Sequence, residues 1–325
     1  MKRSSVVLLL TALLAVAALM AGCMQGGAGE QWTPSEDLPK IPEKLEKSES
    51  AGMPTLSVYD TRDKSISEMD IETYVMGVVA GEMKNDWPLE ALKAQAILAR
   101  TFTLKFCQDK DSKYEGADIS TDVTEAQAYA ARDVNDRVRQ AVNETRGQAM
   151  AYNGEYPYAW FHAHAGGMTE LPTVSLDYDK EDPPYLKPVR SKEADEAPAH
   201  VRRWTATFTK AQVMKACADA GVKLTELKSL EIGEKGVSGR AKTLLVNGKE
   251  VSAPSFRLQI GANRLKSTLL DSIAVEGNQI TFKGRGFGHG VGMSQWGAYA
   301  MAEDGKSARD IIRHYFNDVS IVKLW

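Results

Sequence analysis

The chain has 325 residues, 43% hydrophobic and 26% charged, and its 40 basic against 43 acidic side chains leave a formal net charge of -3. That balance excludes a polybasic nucleic-acid binder that holds phosphates through bulk charge, and the ordinary composition excludes a disordered or collagenous chain. Three cysteines are too few for a disulfide framework, and no pair has the CxxC spacing of a structural zinc site or a thioredoxin-like centre.

Lys2 and Arg3 precede an apolar run from Val6 to Ala21, which is short for a bilayer span and right for the core of an export signal. The run ends at Leu19-Met20-Ala21-Gly22-Cys23, which resembles the lipobox of bacterial lipoproteins, where Cys23 would be acylated and become the first mature residue. Met20 stands where that motif usually has leucine. The alternative is an uncleaved anchor with Cys23 a plain thiol near a membrane; both readings put the rest of the chain on the outer side of that membrane. Residues 1–23 are thus expected to be signal or anchor. Residues 24–54, with Pro34, Pro39, Pro42 and Pro54 among Glu, Lys, Ser and Gly, are expected to be a solvated tether. From Thr55 to Trp325 apolar periodicity continues without a second linker or a repeat, which predicts one globular unit, residues 55–325, of one or two lobes.

Within that unit Leu56 to Tyr59 alternates like a strand, and Asp70 can cap a helix with Ile71, Tyr74, Val75, Val78, Val79 and Glu82 on one stripe. Asn85-Asp86-Trp87-Pro88 breaks it, and Pro88 opens a second helix through Leu89, Leu92, Ala96, Ala99, Thr103 and Phe106. Glu125 to Val142 has a further helical pattern; Tyr156 to His164 and Trp204 to Phe208 read as strands. Thr209 can cap a short helix ended by Gly221, Asn247-Gly248 and Glu276-Gly277-Asn278 are hairpin signals, and Ser307 with Asp310 forms a capping pair. Helices and strands mix without regular βαβ spacing, so the predicted class is α+β.

Three features point to chemistry. Glu82 continues an apolar stripe, where a carboxylate is out of place: burial there raises its pKa and keeps it protonated as a general acid, whereas at a frayed helix end it would simply meet Lys84, Arg100 or solvent. Gly284-Arg285-Gly286-Phe287-Gly288-His289-Gly290-Val291-Gly292-Met293-Ser294-Gln295-Trp296-Gly297 alternates glycine with larger residues, a pattern for backbone at positive φ or closely approached by a ligand. It fits neither the Rossmann fingerprint nor a nucleophile elbow, and the P-loop-like string from Ala300 to Ser307 follows a helix rather than a strand. In Phe161-His162-Ala163-His164-Ala165-Gly166-Gly167 the two imidazoles of His162 and His164 share a strand face; with a third ligand among His289, His200 or Asp177 they would hold zinc, and without one they are hydrogen-bonded cleft histidines. Cys217 lies on the apolar face of its helix and reads as a core thiol.

The segment Tyr74 to Met83, followed by Trp87 to Ala96 and Ala99-Arg100-Thr101, resembles the opening motif of the stage II sporulation protein D and LytB family, and Gly284 to Gly297 resembles that family's most recognisable stretch. Phe161-His162 with Gly166-Gly167 and Thr169-Glu170, Ser238-Gly239-Arg240, and Phe256-Arg257 with Lys266-Ser267 fall between them in the family order. The resemblance implies a lytic transglycosylase that cleaves peptidoglycan glycan strands beside a partner amidase, with the family's essential glutamate at Glu82 and no cofactor required. On this expectation Arg100, His162, Arg285, His289, Ser294 and Gln295 bind the glycan. Structural zinc, which some relatives bind near the Phe161 segment, lacks a local cysteine here. The LytB side of the family implies the alternative, a non-catalytic wall-binding enhancer of an amidase.

Overall fold

The computed structural model describes residues 38–45 and 52–325. The expected signal or anchor with Cys23, and most of the expected tether, lie outside the described residues; the part of residues 24–54 that is described is not solvated as expected, since Leu45 and Met53 are buried in the first core and Pro39, Pro42 and Pro54 are buried as well. Among those residues no helix is long and apolar enough to cross a membrane.

The class is α+β, built around two hydrophobic cores. In the first, strands β1 (Thr55–Asp60) and β2 (Ser65–Asp70) form a hairpin that runs directly into helix α1 (Ile71–Glu82). Asp70 starts α1 as its side chain accepts from the Thr73 amide at 2.8 Å. A turn then leads to α2 (Leu89–Asp109), whose N-cap is Pro88. Strand β3 (Ile119–Ser120) pairs parallel to β1, and α3 (Asp136–Glu144) packs against α1 and α2. Strand β4 (Gln148–Ala151) later pairs with the last strand. The helix expected from Glu125 begins only at Asp136. The stretch before it lies flat across α1: a side chain at Gly81 would sit 2.7 Å from the backbone of Ala128 and Tyr129, so tertiary contact takes the place of helical bonding. Similarly, only β5 (Phe161–His162) of the expected Tyr156–His164 strand pairs.

After two single-turn helices, α4 (Pro172–Ser175) and α5 (Ala199–Arg202), the second core begins. Strand β6 (Arg203–Thr209) buries Trp204, Ala206 and Phe208 on one face, as its alternation requires. It is followed by α6 (Lys210–Asp219), opened by a capping box of Thr209 and Gln212. Strands β7 (Leu230–Ile232), β8 (Thr243–Val246) and β9 (Lys249–Ser252) make a small antiparallel sheet, with Asn247 and Gly248 at φ 51° and 78° in the β8–β9 turn. Helix α7 (Ala253–Ile260) follows, and then β10 (Leu270–Glu276) and β11 (Gln279–Arg285), which join β6 in the order β10-β11-β6. Cys217 is fully buried in this core.

The glycine-rich stretch carries the chain back from the second core to the first. It ends in β12 (Met293–Ser294), parallel to β5, and in α8 (Gln295–Glu303). Helix α9 (Ala308–Tyr315) and β13 (Ser320–Lys323), antiparallel to β4, complete the first core. Gly286, Gly288, Gly290 and Gly292 all have positive φ, between 71° and 103°. At Gly292 a side chain would run into the carbonyl of Trp160, and at Gly290 into the guanidinium of Arg240, so this path is open only to glycine.

Candidate active site

Glu82 is the last residue of α1, half-buried, and its Oε1 accepts the Ala128 amide at 2.7 Å. Burial raises its pKa above the ordinary 4.5, with the Ala128 hydrogen bond opposing that shift. Arg100, a candidate partner for Glu82, is instead taken by Glu72. The carboxyl stands in a shallow depression of about 560 Å³ lined by Ala80, Gly81, Glu82, Met83, Lys84, Asn85 and Asp133. Asp133 is a second carboxylate at this depression and carried no signal in the sequence, because it comes from the 3₁₀ turn before α3. Asn85 donates to the Asp133 carbonyl, and Asn135 to the Asn85 carbonyl at 3.1 Å, so the turn after α1 is laced to the start of α3.

The glycine-rich stretch reaches this place through one residue. Gln295, buried at the start of α8, donates from Nε2 to the backbone carbonyl of Glu82 at 3.1 Å. Trp296, next to Gln295, packs against Trp87 of the turn after α1 with ring centroids 4.4 Å apart, and Tyr299 closes the cluster at 5.2 Å and 5.3 Å. The cluster clamps the turn after α1 to α8 and so sets where the Glu82 carbonyl meets Gln295.

The other expected glycan residues stand elsewhere. Arg100 is fully buried; its Nε and Nη2 bind the Glu72 carboxylate and its Nη1 the Gln148 carbonyl, while Glu72 also accepts from the Gly147 amide and the Trp325 indole. This network ties α1, α2, β4 and the chain end together, and leaves Arg100 no surface to offer a strand. Arg285 ends β11, the central strand of the β10-β11-β6 sheet, where its Nε lies 2.8 Å from Asp271 in a partly exposed ion pair. Ser294 is fully buried: its hydroxyl caps α8 through the Gly297 amide and donates to Glu193 at 2.8 Å. His162 is buried, with Nδ1 3.1 Å from the Val291 carbonyl and its ring 5.6 Å from that of His289. His289 accepts the Val291 amide on Nδ1 at 3.0 Å. Thus Gln295 alone of these six residues is hydrogen-bonded to Glu82; Arg100, His162, His289 and Ser294 are held in the interior, and Arg285 pairs with Asp271 on the second core.

That interior holds an unusual set of titratable groups in their neutral forms. Burial holds His162 well below its ordinary value, His164 down to about 4 and His289 down to about 3, with the charge of Arg240 adding to the effect on each. Burial pushes Glu193 up to about 7. Glu193 lies 3.8 Å from Nδ1 of His164, so between these values the two face each other uncharged. Arg240 is fully buried and donates to the carbonyls of Ala165 and Met168 at 2.7 Å and 2.9 Å. It holds the Ala165–Met168 turn under Gly290.

His164 turns Nδ1 to the Gly166 amide at 3.0 Å, the Nε2 atoms of both His162 and His164 are buried without a partner, and among the described residues no group of three or more His, Cys, Asp or Glu converges on a point where an ion could sit.

Residues 59–152 match the family described as stage II sporulation protein, and residues 184–292 match a domain of unknown function. The chain is 31% identical to stage II sporulation protein D of Bacillus subtilis over 281 residues, 82% of this chain and 78% of that one. It belongs to the stage II sporulation protein D family. An uncharacterised protein of Brachyspira hyodysenteriae is 34% identical over 79% of this chain and 68% of its own length. The Bacillus subtilis amidase enhancer is 28% identical over 74% of this chain, which spans 39% of that longer protein. Within the family match, residues 59–152 take in α1, α2 and the Ala128 amide, so the segment that places Glu82 is the family segment itself.

Proposed function

We propose that this chain is an exported lytic transglycosylase that cleaves peptidoglycan glycan strands, with Glu82 as its single acid and base. The observation that carries the reading is a carboxyl with a raised pKa in an open depression, one oxygen held by the Ala128 amide and its main chain held by Gln295. Protonated Glu82 would donate to the glycosidic oxygen as that bond breaks, leaving an oxocarbenium-like centre on the sugar. The carboxylate so formed would then take the proton of the sugar's own C6 hydroxyl as its oxygen closes on the anomeric carbon. Acid and base are the same group, the proton count balances, no water is consumed, and the product ends in a 1,6-anhydro ring. Residues 1–23 would export the chain and anchor it through a signal segment or a lipid on Cys23, and the stretch between Cys23 and Leu38 would tether the folded body to the membrane surface facing the wall.

The relative named an amidase enhancer supports a second reading, a wall-binding protein that stimulates an amidase without cutting strands. Incubating the protein with purified glycan strands, and reading the product ends by mass spectrometry beside Glu82→Gln, separates the two. Anhydro ends, one water lighter than reducing ends and absent with the variant, would support the transglycosylase. Intact strands, with amidase stimulation kept by Glu82→Gln, would support the enhancer. Reducing ends would mean hydrolysis, for which Asp133 stands in the same depression as a candidate base.

A further inference from the structure

Gln295 reaches Glu82 from the first residue of α8, and the residues on either side of it are held by one loop, between α4 and α5. Glu193 in that loop turns its carboxyl inward, with its side chain 9% exposed, and uses both oxygens. Oε2 accepts the Ser294 hydroxyl at 2.8 Å, and Oε1 accepts the Ala165 amide at 3.1 Å. The next residue, Ala194, donates its amide to the Trp296 carbonyl at 3.3 Å. Gln295 is thus bracketed: Ser294 before it is held through its side chain, and Trp296 after it through the main chain.

The serine accounts for the carboxyl. As N-cap of α8, Ser294 offers its oxygen to the Gly297 amide at 3.3 Å, and the Ala165 amide lies 3.3 Å from the same oxygen. With its lone pairs so engaged, the hydroxyl proton needs an acceptor of its own, and Glu193 Oε2 is the acceptor that the fold supplies. That bond fixes the rotor of the cap. It also brings an acidic group to the N-terminal end of α8, where the helix dipole favours negative charge.

The consequence is felt at Glu82. Glu82 ends α1, where a helix carbonyl lacks a partner further along the helix, and Gln295 Nε2 supplies one at 3.1 Å. A displaced Ser294 cap turns the first residue of α8. The Gln295 carboxamide moves with it, and so does the end of α1 from which the Glu82 side chain projects. Glu193 does not line the depression around Glu82, so it acts through these contacts and not on a ligand.

We propose that Glu193 is a positioning residue for the reaction at Glu82: by fixing the Ser294 cap it fixes the Gln295 carboxamide that holds the main chain of the acid. The proposal rests on the reading of Glu82 as the acid of strand cleavage.

The test uses the full chain with Glu193→Ala, which removes both acceptors, and Glu193→Gln, which keeps one for the Ser294 hydroxyl. Strand cleavage gives kcat and KM, and thermal unfolding gives the melting temperature. The side-chain amide signals of Gln295 in the magnetic resonance spectrum of the isotope-labelled protein report its bond to Glu82 without reference to cleavage. For Glu193→Ala the expected result is a kcat lower by about tenfold to a hundredfold with KM unchanged, together with shifted Gln295 signals. Glu193→Gln should restore both. Ser294→Ala should lower kcat as far, and adding Glu193→Ala to it should lower kcat no further, because the two residues act through one contact. A fall in melting temperature, with kcat and the Gln295 signals unchanged, would overturn the proposal and leave the Glu82 reading intact. A raised KM at unchanged kcat would overturn it too, since a residue that positions the acid acts on the chemical step. If Glu193→Ala does not fold, full kcat in Ser294→Ala would still overturn it. Strands left uncut by the unaltered chain would overturn the Glu82 reading and the proposal with it.

Discussion

His164 offers a quantitative test of the scaffold beneath the glycine-rich stretch. Its pKa falls from 6.5 to about 4, chiefly through burial and then through Arg240 and Arg202. Such a group gives its full contribution to stability above pH 6.5. Below that the unfolded chain takes up the proton and the folded chain does not, so stability declines with falling pH until the folded value is reached. A shift from 6.5 to about 4 corresponds to a decline of about 3 kcal/mol across that window, with a slope of about 1.4 kcal/mol per pH unit. Glu193 cannot rescue the charged ring over this range, because with its own value at about 7 it is itself protonated there. The perturbation is His164→Asn, whose side-chain oxygen can accept the Gly166 amide in place of Nδ1 and which does not titrate. Urea unfolding of both proteins at several pH values between 7.5 and 4 should show the stability advantage of the unaltered chain shrinking by about 3 kcal/mol. Taking the difference between the two cancels groups common to both. Curves that stay parallel across the window would refute the argument, since they would mean that His164 protonates as easily folded as unfolded.

Three further outcomes follow from the same contacts. On the proposed transglycosylase reading, strand cleavage should fall as pH rises through the raised pKa of Glu82, and Glu82→Gln should cost about 10²–10⁴-fold in rate with the melting temperature held; a rate that is flat over that limb in a pH profile would count against Glu82 as the acid. Gly81→Ala should destabilise by about 1–3 kcal/mol and lower cleavage as well, because a Cβ 2.7 Å from the Ala128 backbone must push away the segment whose amide holds Glu82; thermal unfolding with the strand assay reads both. Glu72→Gln should cost about 3–5 kcal/mol by leaving the Arg100 guanidinium buried without its counter-charge, and should leave KM for strands alone; a rise in KM with stability unchanged would return Arg100 to the glycan surface.

Much of the molecule is legible in the sequence because it rests on local signals. The caps at Asp70, Thr209 and Ser307, the break at Pro88 and the turn at Asn247-Gly248 are all settled by groups within a few residues of one another. The α+β class and the family follow from the order of such elements and motifs, and Glu82 stands out because one carboxylate interrupts an apolar stripe. Whether the unit has one lobe or two is left open by that reasoning, and the two cores are seen only in the structure. What the sequence could not decide is what each polar side chain faces, since that depends on segments far away along the chain. Arg100 and Arg285 read as cleft residues by their motifs, yet Glu72 and Asp271 claim them. The helix expected from Glu125 gives way, over its first part, to a flat run across Gly81, and that run supplies the amide that holds Glu82. Gln295 meets Glu82 from 213 positions along the chain, where Trp87 of the turn after α1 packs on Trp296 beside Gln295. Local hydrogen bonds and periodicity determine the elements; burial, which is a property of the whole chain, determines which of their charged groups remain available for chemistry.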